Sequence, residues 1–84
     1  MKIAWSSRAW NDYLYWQKTD NNKLKRINTL IKESLKGPYE GIGNPESLKH
    51  ALQGFWSRRI DKEHRLVYSY TEEEFLILAC RYHY

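Results

Sequence analysis

Several residue types are scarce in this sequence, and their scarcity excludes whole classes of protein. The single cysteine, Cys80, rules out an internal disulfide and agrees with a reducing cytoplasm. No stretch approaches the roughly 18 apolar residues that span a membrane. The N-terminal residues MKIAWSSRAW also lack the apolar run of a signal peptide. We therefore expect a soluble intracellular domain with no membrane contact.

Residues that hold metals or nucleotides are equally sparse. The three His residues and Cys80 do not have the spacing of a zinc site. The segment GIGNPE lacks the Lys and the following helix of a phosphate-binding P-loop. Cys80 lies within the apolar run FLILAC, which predicts a core residue rather than a nucleophile. We expect no metal ion and no other cofactor.

Aromatic and basic residues are, by contrast, abundant. The 84 residues include four Trp, seven Tyr and two Phe, and each large aromatic side chain buries roughly 150–250 Å². Aromatic side chains can therefore supply much of a small core. The formal net charge is +4, which favours an anionic partner such as nucleic acid, an acidic protein segment or a membrane surface.

The apolar periodicity predicts one α+β domain over residues 1–84. Residues 2–5 predict a short strand, and two helical patterns follow, from Ser6 or Ser7 to about Lys18 and from Asp20 or Asn21 to Gly37. From Ser47 the pattern changes to four strand-like runs, SLKHAL, FWSRRI, RLVYSY and FLILACRYHY. We expect both helices to pack on one face of a mostly antiparallel sheet.

Alternation along the last two runs predicts which side chains share a face. We expect the helices to cover the uncharged face, which carries Leu66, Tyr68, Tyr70, Leu76, Leu78, Cys80 and Tyr82. Arg65, Arg81 and His83 then emerge together on the opposite face. A shift of one residue in the strand register would break this group.

Two arginines and a histidine suit chemistry on a phosphodiester. Arg offers a planar fork for phosphate, and His can hold or release a proton near neutral pH. A carboxylate base completes a metal-free ribonuclease, and the candidates are Glu46, Asp61 and Glu63. Further phosphate or base contacts could come from Lys49, Trp56, Arg58 and Arg59.

Each of these residues also has a structural interpretation. Glu46 could be a solvated loop residue, and His83 an exposed residue near the terminus. Arg65 and Arg81 could form surface ion pairs with Glu63 and Glu74, worth under about 1 kcal/mol. Trp56 is more typical of a core residue, and the basic side chains could simply be solvated.

The segments PESLKHALQGFWSRRIDKEHRLVYSY and ACRYHY, together with KIAWSSRAWNDYLYWQKTD, closely resemble the YoeB toxins of the RelE superfamily. The resemblance runs nearly end to end. It implies a RelE-like fold and a ribosome-dependent endoribonuclease that cleaves messenger RNA in the A site. It also implies a YefM-type antitoxin, a toxin homodimer, contact with operator DNA only through the antitoxin complex, and a bacterial cytoplasm.

The resemblance also implies roles for individual residues. Glu46 matches the general base, Arg65 the cation that stabilises the transition state, His83 the general acid and Tyr84 an aromatic that orients the substrate. Lys49 and Arg59 match residues placed around the phosphate. The loop before Pro45 departs from the family pattern, because Ile42 and Asn44 stand where basic residues are expected.

Two other functions remain open alongside the enzyme. A non-catalytic basic module could occupy RNA or a ribosomal site and block translation sterically, without needing Glu46 or His83. The protein could also act mainly through its antitoxin, as a co-repressor at an operator.

Overall fold

The computed structural model describes residues 1–83, and its centre is one five-stranded sheet. In chain order the elements are β1 (Lys2–Trp5), α1 (Ser7–Thr19), α2 (Asn21–Lys36), β2 (Glu46–Ser47), β3 (Trp56–Arg59), β4 (Arg65–Tyr70) and β5 (Glu74–Ala79), with a 3₁₀ turn at His50–Leu52. The spatial order is β1-β5-β4-β3-β2. Only β1 pairs in parallel, with β5. The predicted α+β fold is confirmed.

Side-chain caps fix where the two helices begin. The Ser6 hydroxyl accepts a hydrogen bond from the Ala9 amide at 3.0 Å and donates one to the Leu78 carbonyl at 2.7 Å. The Asp20 carboxylate accepts from the amides of Asn22 and Lys23. These bonds satisfy amide groups that a helix start leaves unpaired. Neither helix combines the length and apolar character that a membrane span requires.

Both helices pack against the same face of the sheet. Their buried side chains include Ala9 and Trp16 from α1, and Ile27 and Leu30 from α2. The sheet and the segments that flank it contribute Ile60, Leu66, Tyr68, Phe75, Ile77 and Cys80 to the same core. The other side of the sheet, called here the helix-free face, carries a smaller cluster of Leu48, Val67 and Ala79.

Two of the strand predictions were wrong in extent. The run SLKHAL forms a strand only at Ser47, as the end of β2, and then folds into the 3₁₀ turn. The Leu48 amide donates to the Phe55 carbonyl at 2.9 Å, and this bond closes the loop between β2 and β3. The last run leaves the sheet after Ala79.

The predicted faces of the last strand were also partly wrong, because β5 contains a bulge. Tyr68 pairs with Ile77 while Val67 pairs with Ala79, so Leu78 is an extra residue in the ladder. Phe75 and Ile77, rather than Leu76 and Leu78, therefore pack in the core under the helices. The bulge reverses the alternation beyond it, and Cys80 lies in the core as expected.

We expect Leu30→Ala to lower the free energy of unfolding by about 2–5 kcal/mol, because a fully buried leucine leaves a cavity when truncated. The matched control is Leu14→Ala on α1, where the side chain is 39% exposed and the expected loss is below about 1 kcal/mol. Urea unfolding of both variants measures the difference. Equal losses would contradict the position of Leu30 in the core.

Candidate active site

The strand register brings Glu46 onto the helix-free face. Glu46 lies opposite Ser57 on β3, Ser57 opposite Val67 on β4, and Val67 opposite Ala79 on β5. Directly opposed residues present their side chains on the same face of a sheet. Val67 and Ala79 belong to the cluster on the helix-free face, so the Glu46 carboxylate lies on that face too.

Two arginines lie opposite each other on the same face. Arg59 on β3 pairs with Arg65 on β4, two residues along from Ser57 and Val67. Like charges in such a pair repel each other. Within residues 1–83 neither side chain has an acidic partner, since Glu63 approaches His64 and Glu74 approaches Lys2. The interpretation of Arg65 as a surface ion pair with Glu63 does not hold, and the pair forms a concentrated positive charge suited to an anion.

The turn before β4 holds the Arg65 side chain in place. Its Nη1 atom donates to the carbonyls of Asp61 at 2.8 Å, His64 at 3.1 Å and Lys62 at 3.3 Å. All three bonds use one nitrogen. Among the described residues the Nε and Nη2 atoms have no hydrogen-bond partner, so they can meet a phosphate as a fork.

Asp61 organises this turn. Its Oδ1 atom accepts from the amides of Glu63 at 2.8 Å and His64 at 2.7 Å, and its Oδ2 atom contacts Lys23 Nζ at 2.7 Å. Burial, the largest single influence, raises the pKa of Asp61. The hydrogen bonds from Lys23 and the two amides, with the Lys23 charge, outweigh burial and lower the pKa to about 2.

The segment that leads to His83 is tied down outside the sheet. The Cys80 amide donates to Asp12 Oδ2 at 3.0 Å, and the Trp16 indole donates to the Cys80 carbonyl at 2.8 Å. The Tyr82 amide donates to His64 Nδ1 at 2.7 Å, and the Arg65 amide donates to the Tyr82 carbonyl at 3.1 Å. His83, exposed, therefore follows a residue bonded directly to the backbone of Arg65. Tyr84 lies outside the described residues.

Among the three candidate bases, Glu46 is the one not committed to the turn before β4. It is exposed, and its Oε1 atom accepts a hydrogen bond from Asn44 Nδ2 at 3.2 Å. Asp61 is held by Lys23, and Glu63 lies 3.3 Å from His64 Nε2. Lys49 is also exposed and stands directly before the 3₁₀ turn that follows β2.

The prediction that Arg58 contacts phosphate was wrong, because the residue is 0% exposed. The guanidinium donates to Tyr68 Oη at 2.9 Å and to the carbonyls of Ile42, Gly37 and Glu40. It fastens the loop between α2 and β2 to the core. Its hydrogen-bonding capacity is used inside the protein, which leaves it unsuited to RNA.

Trp56 and Arg81 also lie apart from the other candidates. Trp56 is partly buried and packs against the core on the helix side, with its ring centre 4.9 Å from that of Tyr39. The Arg81 guanidinium lies 3.5 Å from the centre of the Tyr15 ring on α1. Arg81 therefore does not join Arg65 as the sequence predicted, because the chain leaves the sheet before it.

An apolar groove beside the site was missed by the sequence reasoning. It has a volume of about 420 Å³ and is lined by Ser6, Arg8, Leu52, Val67, Leu78 and Ala79. The sequence did contain a signal for this groove, namely the apolar residues Val67 and Ala79 on the face of the sheet opposite the helices. It was hidden by the bulge in β5, which the sequence did not foresee.

Within residues 1–83 no three His, Cys, Asp or Glu side chains form a group that could hold a metal ion. Cys80 is fully buried, and burial, followed by the charge of Asp12, raises the pKa of its thiol to about 12. The prediction that Cys80 is a core residue is confirmed. Proton transfer and charge stabilisation are the chemistry that this arrangement of carboxylate, guanidinium and imidazole groups can perform.

Comparison with known proteins shows that the fold is that of a small bacterial toxin. Residues 5–84 match the family model of YoeB-like toxins of bacterial type II toxin–antitoxin systems. Toxin YoeB of Escherichia coli K12 is 61% identical over 84 residues, covering all of both chains. The chain belongs to the YoeB toxin family.

Solved structures agree with this assignment. A YoeB/ParE toxin from Agrobacterium tumefaciens has a TM-score of 0.96 at 42% identity, covering all of both chains. YoeB from Staphylococcus aureus, solved as a dimer, has a TM-score of 0.93 at 45% identity, over 100% of this chain and 98% of that one. The Staphylococcus aureus toxin has also been solved as a heterotetrameric complex with YefM, with a TM-score of 0.92 and the same identity and coverage.

The lowered pKa of Asp61 predicts a pH-dependent contribution to stability. A carboxylate with a lowered pKa stabilises the folded state fully above its unfolded pKa of 3.8, and loses that effect as pH falls through about 2. Asp61→Asn keeps an acceptor oxygen but loses the charge. We expect this variant to lose about 2 kcal/mol at pH 6 and progressively less between pH 4 and pH 2.

Unfolding free energies at several pH values would test this expectation. Glu72→Gln, at an exposed position of the turn between β4 and β5, is the matched control for the loss of one negative charge. A deficit in Asp61→Asn that stays constant from pH 6 to pH 2 would contradict the assignment.

Proposed function

We propose that this toxin is a metal-independent endoribonuclease that cleaves messenger RNA in the ribosomal A site and so stops translation. The observation that carries the proposal is that the strand register places the Glu46 carboxylate and the opposed pair of Arg59 and Arg65 on one face of the sheet. The Arg65 amide also donates a hydrogen bond to the carbonyl of Tyr82, the residue before His83. The ribosome as the place of action rests on the family resemblance.

In the proposed reaction Glu46 removes the proton from a ribose 2′-hydroxyl, and the resulting oxygen attacks the adjacent phosphorus. The bond from phosphorus to the 5′-oxygen breaks, and His83 gives a proton to that oxygen as it leaves. The products are a 2′,3′-cyclic phosphate and a 5′-hydroxyl end. Each positioned proton-transfer group contributes about 10²–10⁴ in rate.

Arg65 stabilises the charge that develops on the phosphoryl oxygens. The turn carbonyls hold its Nη1 atom, so the remaining nitrogens are already oriented before the substrate arrives. Such preorganised donors stabilise a transition state without a cost of reorganisation at the moment of reaction. Arg59 and the exposed Lys49 contribute phosphate contacts, and Tyr84 orients the substrate.

The proposed partners follow from the relatives. A YefM-type antitoxin would bind this chain and block the site, and contact with operator DNA would occur through that complex. The groove next to the site supports such binding, because it offers a largely apolar surface to a peptide segment. We also propose a toxin homodimer, a single domain over residues 1–84, and a bacterial cytoplasmic location.

A purified translation system tests the enzyme directly. We expect wild type to cut messenger at A-site codons, and Glu46→Gln and His83→Gln to be slower by at least about 10²-fold with an unchanged melting temperature. Primer extension maps the ends, with and without ribosomes, and Glu72→Gln is the control. Translation that stops equally in all variants while the messenger stays intact would favour the steric alternative.

Arg58 and Arg59 form a matched pair that separates structure from function. Arg58→Met should lower the free energy of unfolding by about 1–3 kcal/mol or more, because the Tyr68 hydroxyl and the loop carbonyls lose their buried donor. Arg59→Met should change stability by no more than about 0.5 kcal/mol but weaken cleavage. Thermal unfolding and primer extension on both variants provide the comparison, and the reverse ranking would overturn it.

A further inference from the structure

We propose that His64 is a positioning residue for the cleavage reaction, acting through the hydrogen bond that its Nδ1 atom accepts from the Tyr82 amide. This inference rests on the proposed function, since it assigns His64 to the placement of His83. His64 does not reach the substrate in this role. It fixes the backbone one residue before the proposed general acid.

The contact is short, and its His64 side is buried. Nδ1 lies 2.7 Å from the Tyr82 nitrogen, and the His64 residue is 7% exposed. An amide nitrogen can only donate, so Nδ1 must present its lone pair, and the ring proton resides on Nε2. Nε2 in turn lies 3.3 Å from Glu63 Oε1. The two ring nitrogens therefore have different partners, which sets the orientation of the ring.

The backbone at Tyr82 needs such a constraint. Its φ angle is +62°, in the left-handed region that a residue with a Cβ atom rarely adopts. The bend occurs after β5 has ended, where no strand pairing can hold it. The bond to His64 and the bond from the Arg65 amide hold Tyr82 on both sides.

The same turn fixes both halves of the proposed site. The Asp61 carboxylate accepts from the His64 amide, and the His64 carbonyl accepts from Arg65 Nη1. His64 thus contacts the Arg65 side chain through its carbonyl and the residue before His83 through its ring. Aromatic contacts limit its movement, with ring centres 4.8 Å from Trp16 and 5.2 Å from Tyr82.

The test compares two variants with the same branched skeleton. His64→Asn places an acceptor oxygen at the position of Nδ1, whereas His64→Leu has a similar shape and cannot accept a hydrogen bond. Both lose the ring, so their difference isolates the acceptor. His64→Phe keeps a ring without an acceptor and replaces the Leu variant if that variant does not fold.

Cleavage is measured in a single turnover on programmed ribosomes over a range of toxin concentration. We expect His64→Leu to lower the saturating rate about 10–100-fold, since displacement of a catalytic group by about 1 Å can cost 10²-fold. The concentration for half-maximal rate should change little. His64→Asn should recover at least about tenfold of that loss. Full rate in His64→Leu, or equal loss in both variants, would overturn the proposal.

Hydrogen exchange supplies a readout that is independent of activity. The Tyr82 amide should exchange slowly in wild type and His64→Asn, and at least about tenfold faster in His64→Leu. Unchanged exchange in His64→Leu would overturn the proposed contact. His83→Gln separates the two proposals: its full activity would remove both the acid role and the inference built on it. If His83→Gln cleaves slowly while His64→Leu cleaves at the full rate, only the positioning role of His64 is removed.

Discussion

The anchoring of residues 80–82 is the constraint on which the proposed active site depends. Once β5 ends at Ala79, the backbone loses its strand partners, yet buried amides and carbonyls must still form hydrogen bonds. Asp12 and Trp16 supply them at Cys80, and His64 and the Arg65 amide supply them at Tyr82. The Arg8 guanidinium adds a bond to the Arg81 carbonyl. The segment is therefore held by side chains from α1, by the His64 side chain in the turn before β4, and by the backbone amide of Arg65.

This arrangement couples the core to the site. Trp16 is part of the main core and also donates to the Cys80 carbonyl, so the packing of α1 helps to set the path of the terminal segment. Asp61 likewise connects a helix to the site, at the turn before β4. Its bonds to the turn amides shape the carbonyls that hold Arg65, and its contact with Lys23 connects the turn to α2. Loosening either helix would therefore disturb both ends of the site.

The sequence predicted the helices well because their signals are local. The helix ends followed from Ser6, Asp20 and Gly37, and apolar spacing identified Ile27 and Leu30 as core residues. The bulge at Leu78 was not predictable, since it depends on how β4 and β5 pair rather than on either strand alone. The fate of Arg58 was hidden for the same reason, because its partners are carbonyls 16 to 21 residues earlier in the chain.

The residues of the candidate site also fall into those that the sequence could predict and those that it could not. Chemistry-bearing residues such as Glu46, Arg65 and His83 could be proposed from residue type, with roles taken from the family resemblance. The supporting residues, Asp61 and His64, carry no motif that distinguishes support from surface charge. Only the folded contacts reveal them.

The opposed arginines show how function constrains stability in so small a fold. Placing Arg59 directly across from Arg65 without an acidic partner among the described residues is unfavourable for the isolated protein. A bound phosphate would attract both guanidinium groups and so offset their mutual repulsion. The neighbouring Arg58, by contrast, is buried, and its guanidinium donates hydrogen bonds to groups inside the protein. Adjacent residues of one type thus serve opposite purposes, because alternation along β3 sends one side chain into the core and the other onto the helix-free face.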